Sequence, residues 1–327
     1  TRLAYQESHL AFYEKHLPGN PKILVVNKPG AGGIVGGNYF HSRAKKNGTW
    51  VMALSTSTVM NYVLRDPRVK FDILEWQPIV LLPRGNMIYV RGNLGIHKIK
   101  SLKGKVAALR KHGKKNNVVF GGKTPTSSAI NKRIGLESLG IKVKNVWGMK
   151  GNGPMALAFE RGEFTINFDN AMSYTNNRKQ LRKNGIAHEL YTHGAPDANG
   201  NWGRDPLWPN VPTIYEFYEA VHGKKVSGPM GNALDALVVL GTAANKSFHL
   251  PKGTPKAVVE AWRKATRNVM KDPKFKKKAG KIIGPYSATI GAPAAKIIRE
   301  KLKLPTGAKK YIEKFLKEQY GLTMNLS

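Results

Sequence analysis

The sequence predicts an α/β protein of about two domains, and three observations carry that prediction. Short apolar runs alternate along the chain with stretches of helical periodicity. Two of those runs lead through loops of small residues into helix starts, at 27–37 and at 121–128. The length of 327 residues, 41% of them hydrophobic, is enough to bury more than one core.

Residues 2–17 carry Leu3, Tyr5, His9, Leu10, Tyr13 and Leu17 near helical spacing, and Pro18-Gly19-Asn20-Pro21 ends that helix. The apolar run 23–26 reads as a short buried strand, stopped by Pro29-Gly30. Gly30, Gly32 and Gly33 then open backbone conformations closed to other residues, and a helix follows from about Gly33 to Ala44. A strand, a glycine turn and a helix N-terminus together make an anion site, because unpaired N–H groups and the positive end of the helix dipole point the same way. A ligand-free structural turn reads equally well from the glycines alone.

Two phosphate motifs fail here. No Gly-Lys-Ser/Thr follows, so this is not a P-loop. A dinucleotide fingerprint started at Gly30 would need glycine where Val35 stands, and an acidic residue where Ser55-Thr56-Ser57-Thr58 stands.

Residues 50–54 form the next predicted strand, with that hydroxyl tetrad at its carboxyl end, the rim where open α/β sheets bind ligands. The tetrad is placed either to bind a carboxylate or to cap the next helix. Residues 76–82 and 87–90 read as two strands. Between them Pro83-Arg84-Gly85-Asn86 is where the chain is expected to cross into a second domain. Ser101 opens a short helix. Residues 118–120 form a strand leading into Gly121-Gly122-Lys123-Thr124-Pro125-Thr126-Ser127-Ser128, and a helix over 129–139 takes Ser127 or Ser128 as N-cap. A strand at 143–147, the loop Lys150-Gly151-Asn152-Gly153-Pro154, a helix at 155–161 and a strand at 164–168 follow. Asp169, at that strand's end, is either an acceptor for a ligand amine or hydroxyl, or the cap of the next helix.

Residues 194–213 read as a long loop and 214–220 as a helix. The apolar run 236–240 reads as a strand. Thr254 and Pro255 then supply the N-cap and first position of an amphipathic helix through Val258, Val259, Trp262, Ala265 and Val269. Asp272-Pro273 restarts a short helix, and a last one spans 307–320.

The net charge is +34. Residues 1–83 hold 10 basic and 5 acidic residues, 84–235 hold 24 and 10, and 236–327 hold 20 and 5. The positive runs are short, such as Lys276-Lys277-Lys278, and no arginine-rich tail or RNA-binding aromatic motif accompanies them. A generally lysine-rich surface that draws anionic ligands is therefore preferred over a nucleic-acid binder. Cysteine is absent, which removes disulfides and thiolate sites. The nine histidines show no metal-ligand spacing, and the 20 carboxylates are scattered, so no catalytic or metal site is predicted. No apolar run approaches 18 residues, and the N-terminus is not a signal peptide, although one is expected to have been removed.

Four segments in order resemble one family. Asn27-Lys28-Pro29-Gly30-Ala31-Gly32-Gly33 resembles the N-x-P-G-A-G-G loop of the Bug-type substrate-binding proteins of tripartite tricarboxylate transporters. Gly48-Thr49-Trp50 through Thr58 is similar to the family's G-Y-T-L strand and its hydroxyl-rich end. Residues 211–216 (Val-Pro-Thr-Ile-Tyr-Glu) are similar to its V-P-T-x-x-E, and 251–255 with Asp272-Pro273 to its P-x-G-T-P and A-D-P.

The resemblance implies a two-lobed, type II-like periplasmic binding fold, a Venus flytrap in which each lobe is a mixed sheet flanked by helices. Lobe 1 would be 1–83 plus 236–327 and lobe 2 would be 84–235. It implies a periplasmic monomer, without cofactor or catalysis, that closes on a small organic carboxylate and serves a two-component membrane permease. Carried over by position, Ala31, Gly32, Gly33, Ser55, Thr56, Ser57 and Thr58 become ligand contacts. So do Thr126, Ser127, Ser128, Lys150 and Gly151, with Asp169 a specificity residue. The family's first strand and P-G-G loop would precede Thr1. Against this stand a nucleotide- or cofactor-dependent enzyme on a doubly wound fold and, behind it, the nucleic-acid binder.

Overall fold

A computed structural model of the chain describes residues 10–196, 202–279 and 283–326. The chain forms two compact units. The first comprises Thr1–Pro83 and Ala243–Lys303, the second Arg84–Thr242 and Leu304–Ser327. Both combine sheet and helix.

The first unit is built on an antiparallel sheet whose strands lie in the order Met52–Ser55, Lys246–Leu250, Gln77–Leu82, Thr289–Ile290. The strand Lys246–Leu250 is buried along its whole length, so neither of its faces meets solvent. Its apolar residues Phe248 and Leu250 pack with Ile79, Val80 and Leu82 against Val259, Ala265 and Val269 of the helix Lys256–Lys271. Tyr13, from the helix Leu10–Glu14, closes the same core, its ring edge-on to Phe248 at 6.0 Å. The predicted helix at 2–17 therefore appears over Leu10–Glu14, and residues 1–9 lie outside the described residues.

The second unit carries a five-stranded mixed sheet. Its strands lie in the order Lys144–Val146, Val119–Gly121, Ile166–Asn170, Asn86–Arg91, Ala187–Thr192. The first three run parallel and Asn86–Arg91 runs against its neighbours. The carboxyl ends of four strands and the start of the fifth thus share one edge. Gly121, Asn170, Thr192 and Asn86 all stand there.

Several expectations are corrected. Residues 23–26 are not a strand: the backbone there joins no sheet among the described residues, and Leu24 and Val26 are 85% and 71% exposed. Hydrophobicity favoured an extended chain, but a strand needs a partner to satisfy its N–H and C=O groups. The run 236–240 lies inside the helix Gly228–Ala243, where Ala233, Leu234, Leu237 and Val238 are fully buried, so its continuous apolarity reflects burial rather than a strand. The second crossing between units consequently falls at 242/243. The helix Thr306–Tyr320 belongs to the second unit and not, as the sequence reading had it, with the first: Tyr320 is edge-on to Trp147 at 5.2 Å, and its hydroxyl accepts from Arg133 Nε at 3.1 Å.

Capping also differs in detail. The helix Ile130–Ser138 is preceded by Ala129, and Ser127 Oγ instead donates back to Thr124 O at 2.6 Å. Thr254 Oγ1 donates to Pro251 O at 2.9 Å, and Pro255 takes the cap position of its helix. Asn170, not Asp169, caps the helix Ala171–Asn177 by accepting from Ser173 N at 2.9 Å.

Candidate functional site

In the first unit the glycine loop and the hydroxyl tetrad are brought together. Gly30, Ala31, Gly32 and Gly33 all have positive φ (137°, 43°, 66° and 101°), ending in a single 3₁₀ turn that runs into the helix Ile34–Arg43. Ala31 is one of only four non-glycine residues with positive φ among the described residues. Holding alanine there costs free energy that the surroundings must offset.

They do so through the facing helix Thr56–Val63. Asn61 Nδ2 donates to Ala31 O at 3.1 Å, and Thr58 Oγ1 lies 3.5 Å from Gly32 O and 3.2 Å from Ser55 Oγ. Asn61 and Thr58 are buried, so the turn is fastened to a fixed support. Glycine at 33 is required on two counts: its φ, and a Cβ there would stand 2.1 Å from Thr58 Oγ1. The first N–H groups of a helical turn have no intrahelical acceptor, so those of Ala31 and Gly32 head a compact set of donors.

The tetrad itself divides. Ser55 ends its strand and takes the cap position of the next helix without a side-chain cap bond. Thr56 is tied to Asn245 O by its N–H at 3.1 Å and its hydroxyl at 3.3 Å. Ser57 is buried in the first turn of that helix.

In the second unit the loop after Val119–Gly121 is self-bonded. Thr124 and Thr126 hydroxyls lie 3.3 Å apart, Ser127 bonds within the loop, and Thr126, Ser127 and Ser128 are all buried. Lys150 is exposed, and Gly151 is the N-cap of the helix Asn152–Arg161. That helix start is joined to Asp169. Asn152 Nδ2 donates to Asp169 Oδ1 at 3.1 Å. Arg178 Nε and Tyr89 OH donate to Oδ2 at 2.8 and 3.1 Å. Asp169 is 1% exposed, and its carboxylate is held by three protein donors, so it anchors the loop rather than capping a helix. Burial, with the Asp169 charge beside it, raises the Tyr89 hydroxyl well above its ordinary value.

Four residues that sequence reasoning missed stand with Asp169 at this sheet edge: Asn86, Lys123, Lys132 and His193. Lys132 is fully buried. Its Nζ donates to Asn86 Oδ1 at 3.0 Å and sits 4.8 Å from the centre of the Phe168 ring. Burial pushes its ammonium well below the usual lysine range, with Lys123 adding repulsion. Burial also pulls Lys123 down to about 8, against the opposing charge of Asp169. The fully buried His193 is driven well below the imidazole range by burial and by Lys132. The only legible signal was Lys123 within the small-residue loop. Asn131, Lys132 and Arg133, consecutive polar residues of the helix Ile130–Ser138, are all buried.

Among the described residues, no group of three or more His, Cys, Asp or Glu side chains is placed to hold a metal ion, and no helix is long and apolar enough to cross a membrane.

No protein-family model and no curated protein matches the chain. Solved structures do. One described as a periplasmic transporter is 21% identical over 98% of this chain and 93% of its own, with a TM-score of 0.66. The periplasmic binding protein BugD is 19% identical over 92% of this chain and 88% of its own, with a TM-score of 0.62. MatC from Rhodopseudomonas palustris, solved with bound malate, is 17% identical over 93% and 91%, with a TM-score of 0.64. The chain therefore has the α/β fold of the periplasmic binding proteins, and the Bug-type resemblance read from its four motifs extends to structure; of the mixed sheet expected in each lobe, the second unit has one and the first unit's sheet is antiparallel.

Proposed function

We propose that this chain is an extracytoplasmic solute-binding protein of the Bug type, one that captures a small organic carboxylate and presents it to a two-component membrane permease. The observation that carries this reading is the Ala31–Gly33 turn. Four successive positive φ angles and a buried Thr58–Asn61 support hold backbone donors in a fixed array, the arrangement an oxyanion needs and a mere chain reversal does not. The fold it shares with a malate-bound protein supports the same ligand class.

In the first unit the Ala31 and Gly32 N–H groups and the Ser55 hydroxyl are the donors, while the Gly33 N–H closes the turn onto Gly30 O at 2.8 Å. Taken by itself, the second unit offers Thr126, Ser128, Lys150 and Gly151, and Asp169 positions the helix start at Gly151 through Asn152 and Arg178. Capture proceeds by hinge closure, the motion open to a chain in two units, with no covalent step. The receptor works as a periplasmic monomer without a cofactor.

The test is a thermal-shift screen against organic acids, nucleotides and NAD(P), at low and at physiological salt. Binding to the native state raises Tm by mass action. A shift with carboxylates that survives salt is the expected result, and a shift with nucleotides alone would overturn the reading. Gly32→Asp puts a side chain and a negative charge in the turn and is expected to abolish the carboxylate shift. An unchanged shift would remove the loop from the site.

A further inference from the structure

The net charge of +34 is far more than the chain balances internally. At physiological salt the Debye length is about 8 Å, so surface charges act together only where they are close neighbours. One such neighbourhood lies in the first unit, where the helix Lys256–Lys271 packs against Leu10–Glu14 and against the short helix Pro273–Ala279. Lys264 and Lys271, seven residues apart, are exposed on one face of the long helix, away from its buried stripe of Val259, Ala265 and Val269. Lys274, Lys276, Lys277 and Lys278 are exposed on the short helix. Lys15 and Lys278 both hold their Nζ atoms 6.0 Å from the centre of one ring, that of Phe12.

The acids in this region are already engaged. Asp272 Oδ2 accepts from Lys15 Nζ at 2.7 Å, and its Oδ1 accepts from the N–H groups of Lys274 and Phe275 at 2.8 and 3.2 Å. Glu14 accepts from Lys22 Nζ and from Ile23 N. Glu260 pairs with Arg263 and Arg267. Lys271, Lys274 and Lys278 form no ion pair among the described residues. Like charges gathered this closely repel, which costs the folded chain stability unless a counter-charge covers them.

The arrangement indicates what that counter-charge is. The lysines stand on two helices and around a shallow concavity of about 550 Å³ with Lys15, Lys271 and Lys274 in its walls. A single small ion cannot meet them all. An anionic bilayer can, because its phosphates spread over a plane, each lysine acts as a point charge and no shape fit is needed. Nucleic acid fits less well. Its binders add arginine forks and open aromatic faces on which bases stack. Here the unpaired cations are lysines, Phe275 is buried and Phe12 is flanked by Lys15 and Lys278.

We infer that this lysine face of the first unit seats the protein on an anionic lipid surface, with Lys271, Lys274 and Lys278 against headgroup phosphates. The inference uses none of the residues assigned to carboxylate capture and does not rest on that reading. Surface attachment would confine the chain to the plane in which a membrane partner lies.

Sedimentation of the full chain with lipid vesicles tests it. The chain is expected to bind vesicles of phosphatidylcholine mixed equally with phosphatidylglycerol, to leave vesicles of phosphatidylcholine alone in solution, and to release the mixed vesicles as salt rises. Each lysine beside an anionic surface contributes about fivefold to partition, so the triple variant Lys271→Gln, Lys274→Gln, Lys278→Gln should bind about a hundredfold more weakly. A second triple variant, Lys103→Gln, Lys111→Gln, Lys114→Gln, removes the same charge from exposed positions in the helix Leu102–Lys114 of the second unit and should bind within about twofold of wild type. All six side chains are exposed, and an unchanged Tm checks that both variants fold. Absence of binding to the mixed vesicles, equal binding to phosphatidylcholine alone, or equal weakening by the two triple variants overturns the inference. Binding to duplex DNA with none to vesicles overturns it as well and makes the face a nucleic-acid surface.

Discussion

Gly33→Ala perturbs the glycine turn with a single methyl group, and the structure sets the size of the effect. Residue 33 has a φ of 101°, so alanine there carries a backbone penalty of about 1–2 kcal/mol. The new Cβ would also stand 2.1 Å from Thr58 Oγ1, far inside van der Waals contact. Thr58 must then rotate and give up its approach to Ser55 Oγ, at 3.2 Å, and to Gly32 O, at 3.5 Å. Losing those contacts adds about 1 kcal/mol. The expected loss is about 2–3 kcal/mol, read as a lower urea midpoint with an unchanged slope. Thr58→Ala removes the hydroxyl that collides, so Gly33→Ala made in that background should cost about 1 kcal/mol less. A double-mutant cycle over the four proteins isolates this coupling. A coupling of zero would refute the packing argument, and an unchanged midpoint in Gly33→Ala would refute the backbone argument as well.

Three further outcomes follow from buried groups. Asp169→Asn leaves Arg178, whose side chain is 13% exposed, without its counter-charge and should cost about 3–5 kcal/mol in urea denaturation. Pairing Asp169→Leu with Arg178→Met should be milder than Asp169→Asn alone, and the opposite order would sink the ion-pair account. His249 is fully buried in its strand and its pKa is pulled down to about 3 by burial, below the unfolded value near 6.5. Between these values the unfolded chain binds a proton that the folded chain excludes, so this stabilisation is complete above pH 6.5 and is lost as pH falls. About 2 kcal/mol should be lost between pH 6.5 and pH 5, and His249→Gln should flatten that slope; parallel curves for the two proteins would refute the assignment. Phe315→Ala, in the helix Thr306–Tyr320, empties a buried aromatic site and should cost about 3–5 kcal/mol, whereas a change under 1 kcal/mol would show that this helix is not part of the second unit's core.

Much of this architecture was legible because its signals are local. The Gly30–Gly33 loop reads as a turn from composition, since only glycine enters positive φ cheaply, and the structure places four such angles there. Thr213 and Glu216, within the V-P-T-x-x-E segment, form a reciprocal capping box at the start of the helix Ile214–His222. The strands Gln77–Leu82 and Asn86–Arg91 fall within a residue or so of their predicted bounds, because a buried apolar run bounded by Pro83 and Gly85 has few alternatives.

The candidate site was only half legible. Its loops could be named from glycines and hydroxyls, but the residues that fasten or charge them could not. Asn61, in the second turn of the helix Thr56–Val63, has no feature that marks it as the support of Ala31. Lys132 sits in a run of three polar residues, and nothing local marks that run as buried. Met52–Ser55 pairs with Lys246–Leu250 from the far end of the chain, and that strand went unread because lysine and histidine interrupt its apolar run.

What the sequence determined by itself was conformation within a few residues: where the backbone must turn, which residue can stand at a positive φ, where a helix can begin. Those are steric and hydrogen-bonding constraints between near neighbours. Tertiary structure decided the rest. It left residues 23–26 outside any sheet among the described residues, turned 236–240 from an apparent strand into a buried helix, and buried Lys132 beside Asn86 and Phe168. Burial and pairing depend on which distant segments arrive alongside, and no local pattern encodes that.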